Sequence, residues 1–274
     1  MFEGVNAGYM ISKSKLADIK KLHQKKYREE FGLFLIEGWK SVAEAFTAGI
    51  EIQSVLVDER RIVDHELLQK LQSSSATVYR VKEKEIATIS DTVTTQGIVA
   101  VARKINVGAV LNEVLRRERA LVVALDSIND PGNLGTIIRT CDWFGVDAVV
   151  IGRNSVEMYN PKVVRATMGS LFHLPVVGDI ELIAFLTQSR KEHFFVYSAE
   201  LAGGENVREV TFGKKAIIII GSESHGVSHT VASLADKKIS IPRFGKAESL
   251  NAAMACGILL SRIKLQEERF GKFI

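Results

Sequence analysis

Four short runs do most to limit how this chain can fold: "ALVVAL" (120–125), "DAVVIG" (147–152), "KAIIIIG" (215–221) and "KISIP" (238–242). Their apolar residues are mostly consecutive rather than alternating with polar ones, so both faces of each strand need cover. Helical patterns separate the runs, which predicts a parallel sheet with helices on both sides. A smaller alternation precedes it. "LFLIEG", "IQSVLVD", "TVYRV" and "GIVAVA" read as strands, with helices over 39–49, 62–72 and 82–90. The expected organisation is an α/β domain over 10–102, a connection with a short helix over 103–118, and a second α/β domain over 119–274.

In a parallel sheet, ligands sit beyond the carboxyl ends of the strands. Three strands here lead into loops of unusual composition: "DSINDPGNLG", "SESHG" and "RFGKAESLN". Glycines 132, 135, 221, 226 and 245 permit backbone conformations and close approaches that side chains block. A dinucleotide fingerprint is excluded on detail. The glycines read Gly132-Asn133-Leu134-Gly135, and the second strand ends in Gly152-Arg153 with no acid to hold a ribose. A phosphate P-loop is excluded as well, since no Gly-Lys-Ser/Thr follows.

The helix after the first loop places Leu134, Ile137, Ile138, Cys141, Phe144 and Gly145 on one stripe. At about 100° per residue, Arg139 lies roughly 140° from Leu134 and off that stripe. It points to solvent, a partner subunit or a substrate. The last helix, "LNAAMACGILL", is apolar almost all round and needs cover on several sides. Ser249 stands where its N-cap is expected.

Charge is unevenly placed. The chain carries a net +4, yet Lys13, Lys15, Lys20, Lys21, Lys25, Lys26 and Arg28 face a single acid, Asp18, within sixteen residues. On charge alone, a solvated helix face and a phosphate-tracking surface both fit. Cys141 and Cys256 fall in apolar helical patterns, which predicts free thiols and a reducing cytoplasm. No apolar run reaches the roughly 18 residues of a membrane span, and "MFEGVNAGYMISKSK" lacks a signal peptide's apolar core. His225 and His229 are four apart without a third ligand, so no metal site is expected. His173 is expected in the core.

Taken together, "NDPGNLGTIIR", "IIGSESHG" and "IPRFGKAESLNAAMA" resemble, in order and spacing, the three motifs of the SpoU/TrmH RNA ribose 2′-O-methyltransferases. "RATMGSLFHLPV" fits between them, and the first domain with "TTQGIVAV" resembles the family's ribosomal-protein-like substrate-binding domain. Arg243 departs from the pattern, where a methionine is frequent. The resemblance implies a parallel sheet with a C-terminal trefoil knot and a homodimer packed through the knot region. It implies S-adenosylmethionine bound at Gly221, Ile241 and Leu250, largely through backbone groups. It implies catalytic roles for Asn133, Arg139, Glu223, Ser249 and Asn251. Arginine stays protonated, with a pKa above about 12, so Arg139 is expected to anchor a phosphate beside the target ribose. Asn133 would orient Arg139 or the ribose, Glu223 would order its loop, and Ser249 and Asn251 would tie the third motif to the first. The implied substrate is structured RNA, with 23S ribosomal RNA favoured over transfer RNA, contacted by Lys20, Lys21, Lys25, Arg28 and Arg139. A non-catalytic ribosome-assembly factor is the competing reading from another class.

Overall fold

The computed structural model describes residues 9–91 and 94–269, and the last five residues assigned to the second domain lie outside it. The chain forms two compact units: residues up to Ile105 with Tyr159–Phe172, and Asn106–Met158 with the remainder from His173.

The first unit contains β1 (Tyr9–Met10), α1 (Lys13–Lys21), α2 (Lys25–Phe31), β2 (Leu33–Glu37), α3 (Trp39–Thr47), β3 (Ile52–Asp58), α4 (His65–Gln72), β4 (Thr77–Val81), α5 (Glu83–Ala87) and β5 (Ile98–Arg103). Its five strands run in the order β1-β4-β3-β5-β2. The sheet is mixed: β5 is antiparallel to both β2 and β3, while β4 is parallel to β3. Leu35, Leu56, Val99 and Val101 pack beneath Ile19 and Leu22 of the α1 segment. Gly38 and Gly97 adopt φ +96° and +80°, and a side chain at Gly97 would strike the Arg61 Cβ at 2.5 Å. Glycine is required there.

The second unit begins with α6 (Gly108–Arg116), inside the stretch read from sequence as a connection. Its Leu111, Val114 and Leu115 are buried in the same core as Val122, Val150, Ile217 and Ile219. There follow β6 (Ala120–Leu125), α7 (Pro131–Trp143), β7 (Ala148–Gly152), α8 (Pro161–Ala166), β8 (Val176–Ile180), α9 (Leu182–Lys191), β9 (Phe195–Glu200), β10 (Glu205–Asn206), β11 (Lys215–Ile220), α10 (His229–Ala232), β12 (Lys237–Ser240) and α11 (Ala252–Arg269). Of these, α8 belongs to the first unit and packs on β2.

The seven strands are ordered β10-β12-β9-β11-β6-β7-β8, and every pairing is parallel. Every residue of β6 and β7 is buried, as the unbroken apolar runs demand. Each Val, Ile or Leu so placed contributes about 1.5–3 kcal/mol relative to exposure. From β6 the chain builds outward to β7 and β8, whereas β9, β11 and β12 lie on the other side. The order therefore reverses between β6 and β11, which is where open parallel sheets hold their ligands.

Candidate active site

The loop after β6 enters α7 through Asp130, whose Oδ1 accepts the Asn133 backbone N–H at 2.7 Å, with Pro131 at the first helical position. That is a strong start, because the cap satisfies an orphan donor and proline's fixed φ suits the first turn. Before it, Ser127 takes φ 61°, and Asp126 reaches across to accept the Ser228 N–H at 2.8 Å. Asp126 is buried. It ties the first loop to the second, a role no sequence motif announced.

The three loops meet. Asn133 donates its side-chain amide to Glu223 Oε1. Asn251 donates to Asn133 Oδ1 at 2.8 Å and lies 3.5 Å from Glu223 Oε1. The Ala252 N–H also points at that oxygen, at 3.4 Å. One carboxylate thus gathers donors from the first and third motifs. Asn133 is directed to Glu223 and Asn251 and makes no hydrogen bond to Arg139.

Asn251 has a second duty. Its Oδ1 accepts the N–H groups of Ala253 and Met254 at 3.0 and 3.3 Å, so Asn251 caps α11. The expectation that Ser249 does so is corrected: the segment before Asn251 is not helical, and Ser249 is exposed two residues upstream. Arg139 is exposed on α7, six residues beyond Asn133. It shares that face with Trp143, one turn on and 85% exposed. The helix stops there, and Gly145 closes it at φ +60° instead of joining the buried stripe.

Beside this cluster lies a cleft whose walls include Gly221, Ile241 and Leu250, together with Glu223, Ile220, Ile239, Ala255 and Leu259. Gly221 has no room for a side chain, because an added Cβ would fall 2.0 Å from the Gly226 carbonyl carbon. Gly226 supplies the matching turn at φ +67°. Ser222 and Gly226 close it with reciprocal backbone hydrogen bonds of 2.9 and 3.1 Å. Gly245, by contrast, has open space and an ordinary φ.

Under the cleft, α11 packs along α7. Cys141 and Cys256 are buried and unlinked in that seam. Burial, and then the hydrogen bond with Cys256, push the Cys141 thiol well above its ordinary range. His173, expected in the core, is instead exposed and paired with Asp142 at 2.8 Å. It sits just past a tight turn, where its ring meets a carboxylate of α7. Among the described residues, no group of three His, Cys, Asp or Glu is placed to hold a metal. No described helix is long and apolar enough to cross a membrane.

In the first unit, Lys20 and Lys25 are exposed, and Lys21 pairs with Asp18 at 2.8 Å. Arg28 is not part of that surface, which corrects the sequence reading. It is 2% exposed, and its Nη1 donates to the carbonyls of Leu22 and His23 at 2.7 and 2.8 Å. These are carbonyls at the end of α1 that need donors, and the arginine satisfies them. A second basic surface was missed. An open cleft is lined by Lys40, Arg60, Arg61, Asp64, Trp39, Thr95 and Gln96, among others, with Arg61 ion-paired to Glu83. Trp39 Nε1 donates to the Gln96 carbonyl at 2.9 Å, and Arg61 Nη1 to the Thr95 carbonyl at 2.7 Å, which holds the 94–97 loop as one wall.

Residues 120–261 match the SpoU rRNA Methylase family, and residues 13–100 match the MRM3-like substrate binding domain. The chain belongs to the SpoU rRNA methylase family. A 23S rRNA (guanosine(2553)-2′-O)-methyltransferase, RlmP, of Bacillus subtilis is 34% identical over 250 residues, covering 91% of this chain and 96% of that relative. The SpoU methyltransferase AviRb from Streptomyces viridochromogenes, solved with AdoMet, superposes with a TM-score of 0.85 at 25% identity, over 95% of this chain and 99% of that one. An AdoMet-bound rRNA methyltransferase from Sinorhizobium meliloti gives 0.83 at 29% identity, over 94% and 97%. As a SpoU-family member, this chain is an S-adenosylmethionine-dependent RNA ribose methyltransferase with the family's parallel α/β fold.

Proposed function

We propose that the chain methylates a ribose 2′-hydroxyl of 23S ribosomal RNA in the cytoplasm, with residues 10–102 holding the RNA and residues 119–274 carrying the chemistry. The observation that carries this reading is the meeting of Asn133, Glu223 and Asn251 beside the cleft lined by Gly221, Ile241 and Leu250. The cleft suits S-adenosylmethionine: its walls are largely apolar, and the tight Gly221–Gly226 turn presents backbone to it. When bound, that cofactor supplies a methyl group on a sulfonium centre.

The chain's own residues supply alignment, worth up to several kcal/mol. Glu223 and the two asparagines fix the second and third loops against α7. Gly221, Ile241 and Leu250, which line the cleft, would hold the donor. Arg139, exposed and without a protein partner among the described residues, anchors the phosphate beside the target ribose. Ser249, exposed on the third loop, contacts the acceptor strand. Lys20, Lys21 and Lys25 track the RNA backbone, and exposed Lys40 and Arg60 of the second cleft add further positive charge.

The reading includes a homodimer through the α7–α11 face. Trp143, Met254 and Ile258 are 85, 62 and 42% exposed there, and Met254 and Ile258 stand one helical turn apart. The knot that the family implies involves the 221–227 and 241–251 loops.

The test is incubation with S-adenosylmethionine labelled in the methyl group and total RNA, followed by mapping of ribose methyl groups. Label in 23S RNA at a 2′-O position, lost in Arg139→Ala, supports the reading. Label in transfer RNA moves the substrate, and tight RNA binding without any transfer replaces the enzyme with an assembly factor.

A further inference from the structure

The cleft contains a carboxylate that the family motifs do not account for. Glu200 ends β9, between β11 and β12 in the sheet. Ser198 pairs with Ile219 of β11, so Glu200 stands level with Gly221; on its other side it pairs with Ser240, one residue before Ile241. It therefore sits between two of the positions that line the cleft and is itself one of the lining residues. Fully buried Ser198 donates its hydroxyl to Glu200 Oε1 at 2.8 Å. No cation pairs with Glu200 among the described residues. A half-buried carboxylate with a single hydroxyl donor is unfavourable unless further donors reach it.

Resting on the reading that this cleft holds S-adenosylmethionine, we infer that Glu200 accepts the 2′- and 3′-hydroxyls of the cofactor's own ribose. A vicinal diol offers two O–H donors to one carboxylate. An acid at the carboxyl end of a parallel strand is a chemically apt partner for such a diol. The strand order agrees. Asn133 and Glu223 belong to the β6 and β11 loops, whereas Glu200 lies on the far side of β11, toward β12. With its methyl group turned toward the Asn133–Glu223–Asn251 cluster, the cofactor would have its adenosine on the β9 and β12 side of the cleft. The sequence hid this residue, because the acid closes the strand after "FFVYSA" and not the second strand of the domain.

The test is competition binding on the purified full-length protein. The probes are S-adenosylhomocysteine, 5′-methylthioadenosine and the 2′,3′-dideoxy form of 5′-methylthioadenosine. Glu200→Ala should weaken the first two equally, by roughly 10- to 100-fold, the loss of charge-assisted hydrogen bonds. It should leave the dideoxy compound unchanged. Glu200→Gln keeps one acceptor and a similar shape, so an intermediate loss is expected, with thermal unfolding unchanged. Weaker S-adenosylhomocysteine but unchanged 5′-methylthioadenosine would place the carboxylate on the amino-acid ammonium and overturn the assignment. Unchanged binding of both would place it in solvent and overturn the assignment equally. Failure of the unsubstituted protein to bind S-adenosylhomocysteine would remove the cofactor reading of the cleft itself, and the assignment with it.

Discussion

In the second unit, Asn133, Glu223 and Asn251 direct their hydrogen bonds at one another, while in the first unit Lys20 and Lys25 stand exposed with no protein partner among the described residues. Both groups are dense in polar side chains, and they follow different physics. The cluster is a geometric device: one carboxylate draws together loops that are 90 and 118 residues apart. Its value lies in holding positions. The basic surface is a field, whose strength depends on the number of charges left in solvent and little on where each one points. A substitution in the first should act on alignment and stability, and one in the second on affinity and its salt dependence.

The largest effect that can break this contrast belongs to Arg139, which lies on the cluster's helix yet, like Lys20 and Lys25, has no protein partner among the described residues. Arg139→Ala should lower methyl transfer by about 10²- to 10³-fold, as loss of an electrostatic anchor does, while cofactor affinity is retained. Arg139→Lys should recover part of the rate if the residue is an anchor and none if it is a base. Arg28 is next, because it lies among the lysines in sequence but is wholly structural. Arg28→Ala should cost about 2–4 kcal/mol in urea unfolding, from two unsatisfied carbonyls and a cavity. RNA affinity per folded molecule should not change.

Asn251→Ala removes a cap and a loop tie, and should lower stability by about 1–2 kcal/mol. Cofactor affinity should fall with it. Ser249→Ala, two residues away, should stay within about 0.5 kcal/mol, as an exposed substitution does. Equal effects would undo the distinction between them. The double reversal Lys20→Glu with Lys25→Glu should leave the unfolding midpoint in place. It should lower the slope of log affinity against log salt by about 2, near one unit for each phosphate no longer neutralised. An unchanged slope would assign both lysines to a solvated face.

The smallest effect concerns the seam between α7 and α11. Burial holds Cys141 protonated, with its pKa raised above the ordinary 9.0. Its contribution to stability is therefore complete below pH 9.0 and is lost as pH climbs through the raised value. At neutral pH a thiol reagent should label both cysteines only after denaturation. Labelling of the native protein would show that the seam opens.

Much of the second unit could be read from sequence because its signals are local. Unbroken Val and Ile runs gave the parallel strands, and the apolar stripe beginning at Leu134, Ile137, Ile138 and Cys141 gave α7. The loops that carry Asn133, Glu223 and Asn251 stood out because each follows a strand that ends on the same side of the sheet, while the residues themselves came from the resemblance to the SpoU/TrmH motifs. What sequence missed depends on tertiary neighbours. Arg28 carries the same charge as Lys25, and only the frayed end of α1 decides that it turns inward. The N-cap was placed two residues early, since nothing local distinguishes Ser249 from Asn251 until Glu223 and Asn133 arrive from elsewhere. The Lys40–Arg60–Arg61 cleft joins three separate segments, none unusual alone.

The chain contains two tryptophans, and they fall one to each unit: Trp39 is 6% exposed and hydrogen-bonded, Trp143 is 85% exposed. The protein thus has two built-in fluorophores of different colour. Acrylamide should quench the red-edge emission of Trp143 and spare the blue-edge emission of Trp39. Whatever covers the face bearing Arg139, RNA or a second copy, should shift only the red component, so binding at that face can be followed optically and without a label.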